Sequence, residues 1–139
     1  MYKRILIAAD GSAHSLRAAD HAFKIAACDP ESIVEIIYAL DAEHVKADVL
    51  HHWNDLDRSD VRKQRVIAVE EKAVKAGVKY ETKILHGEPG PEIVKYANEN
   101  KVDLIVLGSR GLNALQELVL GSVSHKVAKR AHCPVMIVK

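Results

Sequence analysis

Apolar residues along this chain occur in two patterns that alternate from one end to the other. Short runs of apolar residues are followed by longer stretches in which apolar residues recur every three or four positions. The first pattern predicts strands buried on both faces, and the second predicts helices with one apolar face. We therefore predict strands at residues 5–9, 33–40, 78–84, 104–107 and 134–138.

The predicted helices carry their apolar residues on one face. These positions are Leu16, Ala19, Phe23 and Ala26 in the first helix, Val66, Val69 and Ala73 in the second, and Val123, Val127 and Ala131 in the last. The second helix is predicted to cover 58–76 and to end at Gly77. A third helix is predicted to begin at Gly90-Pro91, where a proline in the first turn loses no hydrogen bond.

The alternation of strand and helix predicts one α/β domain over residues 1–139. We expect a doubly wound, five-stranded parallel sheet with helices on both faces. The segment 78–84 is apolar only at every second position, which suits an edge strand better than a central one. Apolar residues make up 48% of the chain but aromatic residues only 4%, so the core must be formed by aliphatic side chains and alanine.

The charged residues disfavour some classes of function. The chain has 20 Lys and Arg and 19 Asp and Glu, a net charge of +1, with both signs mixed throughout. Because it has neither a basic stripe nor a long apolar run, we expect no nucleic-acid partner and no membrane partner. Two cysteines are too few for a disulfide framework, and the N-terminus lacks a signal-peptide pattern, so we expect a cytoplasmic protein.

A glycine-rich segment follows the predicted strand 104–107 and leads into the last helix. It reads GSRG at 108–111, then nine residues, then GSVS at 121–124, with Ser122 as the predicted N-cap. A helix start presents free backbone N–H groups and favours anions, and glycines let the backbone come close to them with φ above zero where needed. The segment therefore predicts a phosphate site, although without a ligand it would simply shape a loop and cap a helix.

Two common phosphate-binding motifs are absent. The chain has no G-x-x-x-x-G-K-[ST], and its first strand–helix turn, ADGSAHS at 9–15, contains a single glycine instead of G-x-G-x-x-G. The pattern G-x-x-G, nine residues, G-[ST] instead resembles the ATP-binding members of the universal stress protein family. The resemblance covers essentially the whole chain, since YKRILIAADGS at 2–12 looks like the family's first strand and acidic turn, and CPVMIVK at 133–139 looks like its last strand.

The resemblance implies a Rossmann-like fold of the adenine nucleotide alpha hydrolase type, with strand order 3-2-1-4-5. In that order the winding reverses between strands 1 and 4, where open α/β sheets bind ligands. The implied ligand is ATP or AMP, with Mg²⁺ as a further ligand through Asp10. The residues implied to bind the nucleotide are Asp10, Ser12, Ala39, Gly108, Arg110, Gly111, Gly121, Ser122, Val123 and Ser124.

Within that set the resemblance assigns Asp10 to the ribose or the metal and the backbone of Ala39 to the adenine edge. Residues 121–124 would offer backbone N–H groups and serine hydroxyls to the phosphates.

Several of these residues also have explanations that need no ligand. Asp10 would then close a turn, and Ser12 would cap the first helix. Arg110 and Lys126 would be solvated cations, although a cation near a helix start is unfavourable unless an anion offsets it. We expect a solvated loop at His44, His51, His52 and Trp53, because the spacing of these residues does not suit a metal site. In the family that the chain resembles, this region closes over the nucleotide.

Three classes of function remain open. The first is a stress-response regulatory protein that binds ATP or AMP and acts through its conformation or through a protein partner. The second is a slow ATPase or phosphotransferase, for which Asp10 is the one strong candidate ligand. The third is a nucleotide-free interaction module, which the complete glycine pattern disfavours. The resemblance also implies a homodimer that pairs the last strand across a two-fold axis, which would protect an apolar edge.

Overall fold

A computed structural model describes residues 2–40, 56–109 and 121–139. Five strands and four helices alternate along these described residues. The strands are β1 (Arg4–Ala8), β2 (Ile33–Leu40), β3 (Lys79–His86), β4 (Leu104–Gly108) and β5 (Val135–Val138). The helices are α1 (Ala13–Ala26), α2 (Leu56–Ala76), α3 (Pro89–Glu99) and α4 (Ser122–Arg130).

The five strands form one parallel sheet in the order β3-β2-β1-β4-β5. This confirms the predicted doubly wound α/β fold and its strand order, including an edge position for β3. The central strand is β1, whose Ile5 lies opposite Val34 of β2 and Leu104 of β4. The ends of β1 and β4 therefore lie side by side at one edge of the sheet.

Side chains of β1 alternate between two cores, one on each face of the sheet. Ile5 and Ile7 pack with Phe23 on the face covered by α1 and α2, while Leu6 packs with Val127 on the face covered by α3 and α4. All five side chains are at most 2% exposed. Two-sided burial of this kind explains why the strand is a continuous apolar run.

The ends of α2 and α3 follow the predicted signals closely. Gly77 follows the last turn of α2 with φ +69°, and its N–H donates to the carbonyl of Val74 at 3.0 Å, which confirms it as the helix end. The start of α3 lies at Pro89, one residue before the predicted Gly90.

No helix in the described part of the chain is both long enough and apolar enough to cross a bilayer.

Gly108, at the end of β4, allows α1 to lie unusually close to the sheet. A Cβ atom at this position would lie 2.7 Å from both the carbonyl carbon and the Cβ of His14. Real Cβ atoms are essentially never that close to another heavy atom, so a larger residue would push α1 away. The absence of a side chain at Gly108 thus brings the first turn of α1 against the end of β4.

Candidate functional site

The candidate site is a crevice at the carboxyl ends of β1 and β4. β1 leads through α1 to β2 on one side, while β4 leads towards α4 and β5 on the other side. This reversal of winding opens a crevice of the kind that binds ligands in α/β sheets. The structure brings to it the turn after β1, the end of β4 and the start of α4.

The turn after β1 is held by hydrogen bonds within the protein. The Oδ1 atom of Asp10 accepts the N–H of Ser12 at 2.8 Å, and Gly11 between them has φ +82°. The Oγ atom of Ser12 accepts the N–H of Ser15 at 3.1 Å, which makes Ser12 the N-cap of α1. The predicted turn and cap are therefore confirmed. Within the described residues the second carboxylate oxygen of Asp10 has no hydrogen bond, so it can still accept one from a ligand.

The start of α4 presents backbone N–H groups that the helix itself does not use. The helix begins at Ser122 and its N-cap is Gly121, so the predicted N-cap at Ser122 is wrong by one residue. Gly121 has no side chain with which to cap this end, and the first helical bond runs from the N–H of His125 to the carbonyl of Gly121 at 3.0 Å. The N–H groups of Ser122, Val123 and Ser124 therefore have no acceptor inside the helix.

Gly121 itself does not have the positive φ that its glycine suggested. Its φ is −59° and its ψ is 157°, an extended conformation that most residues adopt at an N-cap. Its N–H donates to the carbonyl of Ser109 at 2.8 Å, which joins the two residues on either side of 110–120. That the backbone of Gly121 comes close to a phosphate of a ligand stays a prediction.

The two serine hydroxyls at the start of α4 differ in their surroundings. The hydroxyl of Ser124 donates to the carbonyl of Gly108 at 2.6 Å, and Ser124 is only 4% exposed. In this arrangement its proton is engaged within the protein, so the contact between this hydroxyl and a phosphate stays a prediction. Ser122 is exposed, so its hydroxyl stays a candidate donor.

The backbone of Ala39 faces the crevice. The carbonyl of Leu40 accepts the N–H of Gly87 at 2.8 Å, so the backbone of Leu40 faces β3. Successive residues of a central strand bond to opposite neighbours, so the N–H and the carbonyl of Ala39 face the β1 side. Ile37 faces the same side and accepts the N–H of Ala9 at 2.9 Å, just beyond the end of β1. Ala39 therefore directs a donor and an acceptor past that end.

The remaining predicted residues fall into two groups. Lys126 forms a 2.6 Å ion pair with Glu88, which precedes α3, and its side chain packs against Gly90. Lys126 is thus paired within the protein in this arrangement. The other predicted residues, Arg110, Gly111, His44, His51, His52 and Trp53, lie outside the described residues.

Sequence reasoning missed Arg65, which α2 brings to the crevice. The Cδ and Cγ atoms of Arg65 lie 2.5 and 2.8 Å from the position that a Cβ atom on Gly11 would take. The missed signal is the spacing of Arg65 along α2. It lies four residues before Val69 and eight before Ala73, on the same face of the helix as these two residues, which are both buried in the core. A cation at the end of an apolar stripe indicates that the stripe leaves the core at that residue.

The described residues offer little for a metal ion by themselves. Among them, no three Asp, Glu, His or Cys side chains lie together as a ligand set. The free oxygen of Asp10 fits Mg²⁺ as a single protein ligand, because Mg²⁺ is commonly held by one or two carboxylates together with substrate phosphates.

Comparison with known proteins identifies the family of this chain. The universal stress protein family matches residues 1–139. This chain belongs to that family. It is 38% identical over 149 residues to the universal stress protein YxiE of Bacillus subtilis, with 100% of both chains covered.

Solved structures of the family share the fold. The protein MJ0577 of Methanocaldococcus jannaschii superposes with a TM-score of 0.83 at 31% identity, covering 100% of this chain and 96% of the other. A universal stress protein solved in complex with cAMP has a TM-score of 0.72 and 30% identity, covering 99% and 97%. Family members solved with AMP and with dAMP are 20% and 24% identical, and at that distance they show the shared fold alone.

Proposed function

We propose that this chain is a cytoplasmic regulatory protein of the ATP-binding subgroup, in which bound ATP or AMP sets the conformation or selects a protein partner. The observation that carries the proposal is the start of α4, where the N–H groups of Ser122, Val123 and Ser124 lack acceptors within the helix. Such N–H groups at the positive end of a helix dipole favour a phosphate. The relative in complex with cAMP, 30% identical to this chain, supports an adenine nucleotide as the ligand.

The other edges of the crevice fit the remaining parts of a nucleotide. Adenine presents an amino donor near a ring-nitrogen acceptor, and Ala39 offers the complementary carbonyl and N–H. Asp10 lies at the end of β1, between Ala39 on one side and the start of α4 on the other. Its free oxygen would accept a ribose hydroxyl or bind Mg²⁺. The base, the sugar and the phosphates would thus each have a partner from a different strand or helix.

The direct test identifies what the protein carries and what it binds. Purified protein is denatured, released small molecules are identified by mass spectrometry, and the emptied, refolded protein is titrated calorimetrically with ATP, AMP and GTP. We expect an adenine nucleotide in the first experiment or selective binding of ATP or AMP in the second. A protein that is repeatedly empty and binds none of them contradicts the proposal. Hydrolysis above that of an Asp10→Ala variant would favour the slow ATPase instead.

Mg²⁺ should matter more for ATP than for AMP if Asp10 lies beside the phosphates. We expect EDTA to weaken ATP binding by about tenfold, the effect of one charge-assisted contact, and to leave AMP binding unchanged. An Asp10→Asn variant keeps an oxygen for the N–H of Ser12, so the turn survives while the Mg²⁺ effect disappears. Calorimetric titrations of both proteins, with and without EDTA, measure this. If ATP binds equally well in all four cases, Asp10 has no role at a metal.

We further propose that the protein is a homodimer joined through β5. Pro134 and Val138 both direct their carbonyls to β4, where they accept the N–H groups of Ile105 and Ser109. By alternation, the backbone N–H and carbonyl groups of Val135 and Ile137 face the open edge of the sheet. An open edge of four apolar residues is a ready template for a second copy of the same strand.

An Ile137→Pro variant tests this edge pairing without also testing the packing of the core. The side chain of Ile137 is partly buried beside α4, so a charge there would also disturb the core. We expect Ile137→Pro to be a monomer at micromolar concentration, because proline removes the outward N–H without breaking the ladder to β4. Ile137→Ala keeps that N–H and should stay dimeric. Sedimentation velocity measures both, and a monomeric unmodified protein contradicts the proposed dimer.

A further inference from the structure

The most informative group in the crevice to which the proposed function assigns no role is the guanidinium of Arg65. α2 ends at Ala76, close to the start of β3, so its N-terminal half lies towards the carboxyl ends of the strands. Side chains on a helix lean towards the helix N-terminus, so Arg65 leans towards the crevice. Its Cγ, Cδ and Nε atoms lie 2.5–3.0 Å from the place of a Cβ on Gly11, so its stem crosses the turn that carries Asp10.

This guanidinium lacks a counter-ion in the part of the chain that the structure describes. Arg65 forms no hydrogen bond or ion pair with the described residues, and Asp10, in the turn that its stem crosses, is not paired with it. The side chain is partly buried, and packing over Gly11 restricts where its charged end can lie. A cation held at a crevice by its apolar stem, with its donors free, is arranged to receive an anion.

We infer that Arg65 contacts a phosphate group of the bound nucleotide; this inference rests on the proposed function. A guanidinium offers a planar fork of donors that matches phosphate oxygens, and it stays charged at any working pH. The phosphate would then lie between two sources of positive charge from opposite faces of the sheet, Arg65 on α2 and the N–H groups at the start of α4. Such a clamp distinguishes phosphorylated nucleotides from the free nucleoside.

The stem of Arg65 occupies the space that a Cβ atom at position 11 would take. The φ of +82° already favours glycine there, and a Cβ would in addition collide with the Arg65 stem. The stem of Arg65 therefore lies directly over this turn. A variant at Arg65 must keep the stem in order to test the charge alone.

Arg65→Met keeps an unbranched apolar stem over Gly11 and removes the charge. The matched control is Lys75→Met, which makes the same charge change on the same helix, about 15 Å further along its axis. Emptied protein is titrated calorimetrically with ATP, AMP and adenosine, and circular dichroism checks the fold of each variant. A third variant, Arg65→Lys, keeps the charge but loses the fork, and it should recover part of the affinity.

We expect Arg65→Met to bind ATP, AMP or both about tenfold or more weakly, with adenosine within about twofold of the unmodified protein. Lys75→Met should match the unmodified protein for all three ligands. An equal loss for adenosine and the nucleotides overturns the inference, because Arg65 would then act on the base or the turn. Unchanged binding in Arg65→Met also overturns it, while leaving the proposed function standing. If the unmodified protein binds no adenine nucleotide, both fail.

Discussion

A Ser122→Pro variant is expected to bind ATP about ten- to hundredfold more weakly than the unmodified protein and to fold normally. Ser122 is the first residue of α4, where proline is favourable because its N–H has no partner inside the helix. Gly121 before it has ψ 157°, the extended conformation that a residue preceding proline prefers. The substitution therefore removes one N–H and the exposed hydroxyl from the proposed phosphate site and leaves the start of the helix intact.

Ser122→Ala is the matched control, because it removes the exposed hydroxyl and keeps the N–H. It should lose less affinity than Ser122→Pro if the backbone carries phosphate binding. Calorimetric titration with ATP and circular dichroism on the same samples decide the question. Equal ATP affinity in Ser122→Pro and the unmodified protein, with the helix content unchanged, would show that the phosphates do not lie at the start of α4.

The fold could be predicted from the sequence because its signals are local and consistent. The run from Ile33 to Leu40 has the length and composition of a buried strand, and β2 spans the same residues. Gly77 marks the end of α2 because a left-handed residue is needed there. The strand order came from the resemblance, since the alternation of elements alone allows more than one winding.

Several details of the site could not be predicted from the sequence, because they depend on contacts between distant residues. Gly108 was assigned to a phosphate site, yet its lack of a side chain also makes room for His14 of α1. The hydroxyl of Ser124 is engaged by the Gly108 carbonyl, 16 residues earlier in the chain. Arg65 lies over Gly11 for reasons of helix packing that no motif records.

Glu35, in the sheet, is a second example of a residue whose surroundings depend on partners distant in the chain. It lies inside β2 with 0% exposure, and both the Arg4 guanidinium and the Tyr96 hydroxyl donate to its Oε1 atom. These partners lie 31 and 61 residues away in sequence, so no local pattern pairs them. Among the described residues its Oε2 atom has no partner. A buried carboxylate is predictable from sequence only when its partners are near it in the chain.

Gly108 has two explanations, a role in a phosphate site and close packing of α1 on β4. A Gly108→Ala variant tests which of them dominates. A Cβ at this position would meet the carbonyl carbon and the Cβ of His14 at 2.7 Å and the carbonyl oxygen of His14 at 2.9 Å. Backbone atoms in the first turn of α1 cannot swing aside as a flexible side chain can, because Ser12 caps that turn and Ala18 below it is fully buried. We therefore expect the free energy of unfolding to fall by about 3 kcal/mol.

Gly90→Ala provides the matched control, with the opposite expected sign. A Cβ there would meet the Cδ of Lys126 at 3.0 Å, which can swing aside, and the Cβ of Lys126 at 3.3 Å, a contact that a shift of the side chain by a few tenths of an ångström relieves. Alanine is favoured over glycine by up to about 1 kcal/mol within a helix. Gly90→Ala should therefore be as stable as the unmodified protein or slightly more stable. Urea denaturation followed by circular dichroism measures both variants. If Gly108→Ala keeps its stability but loses ATP binding, Gly108 serves the ligand; if it loses stability, close packing of α1 on β4 explains the glycine.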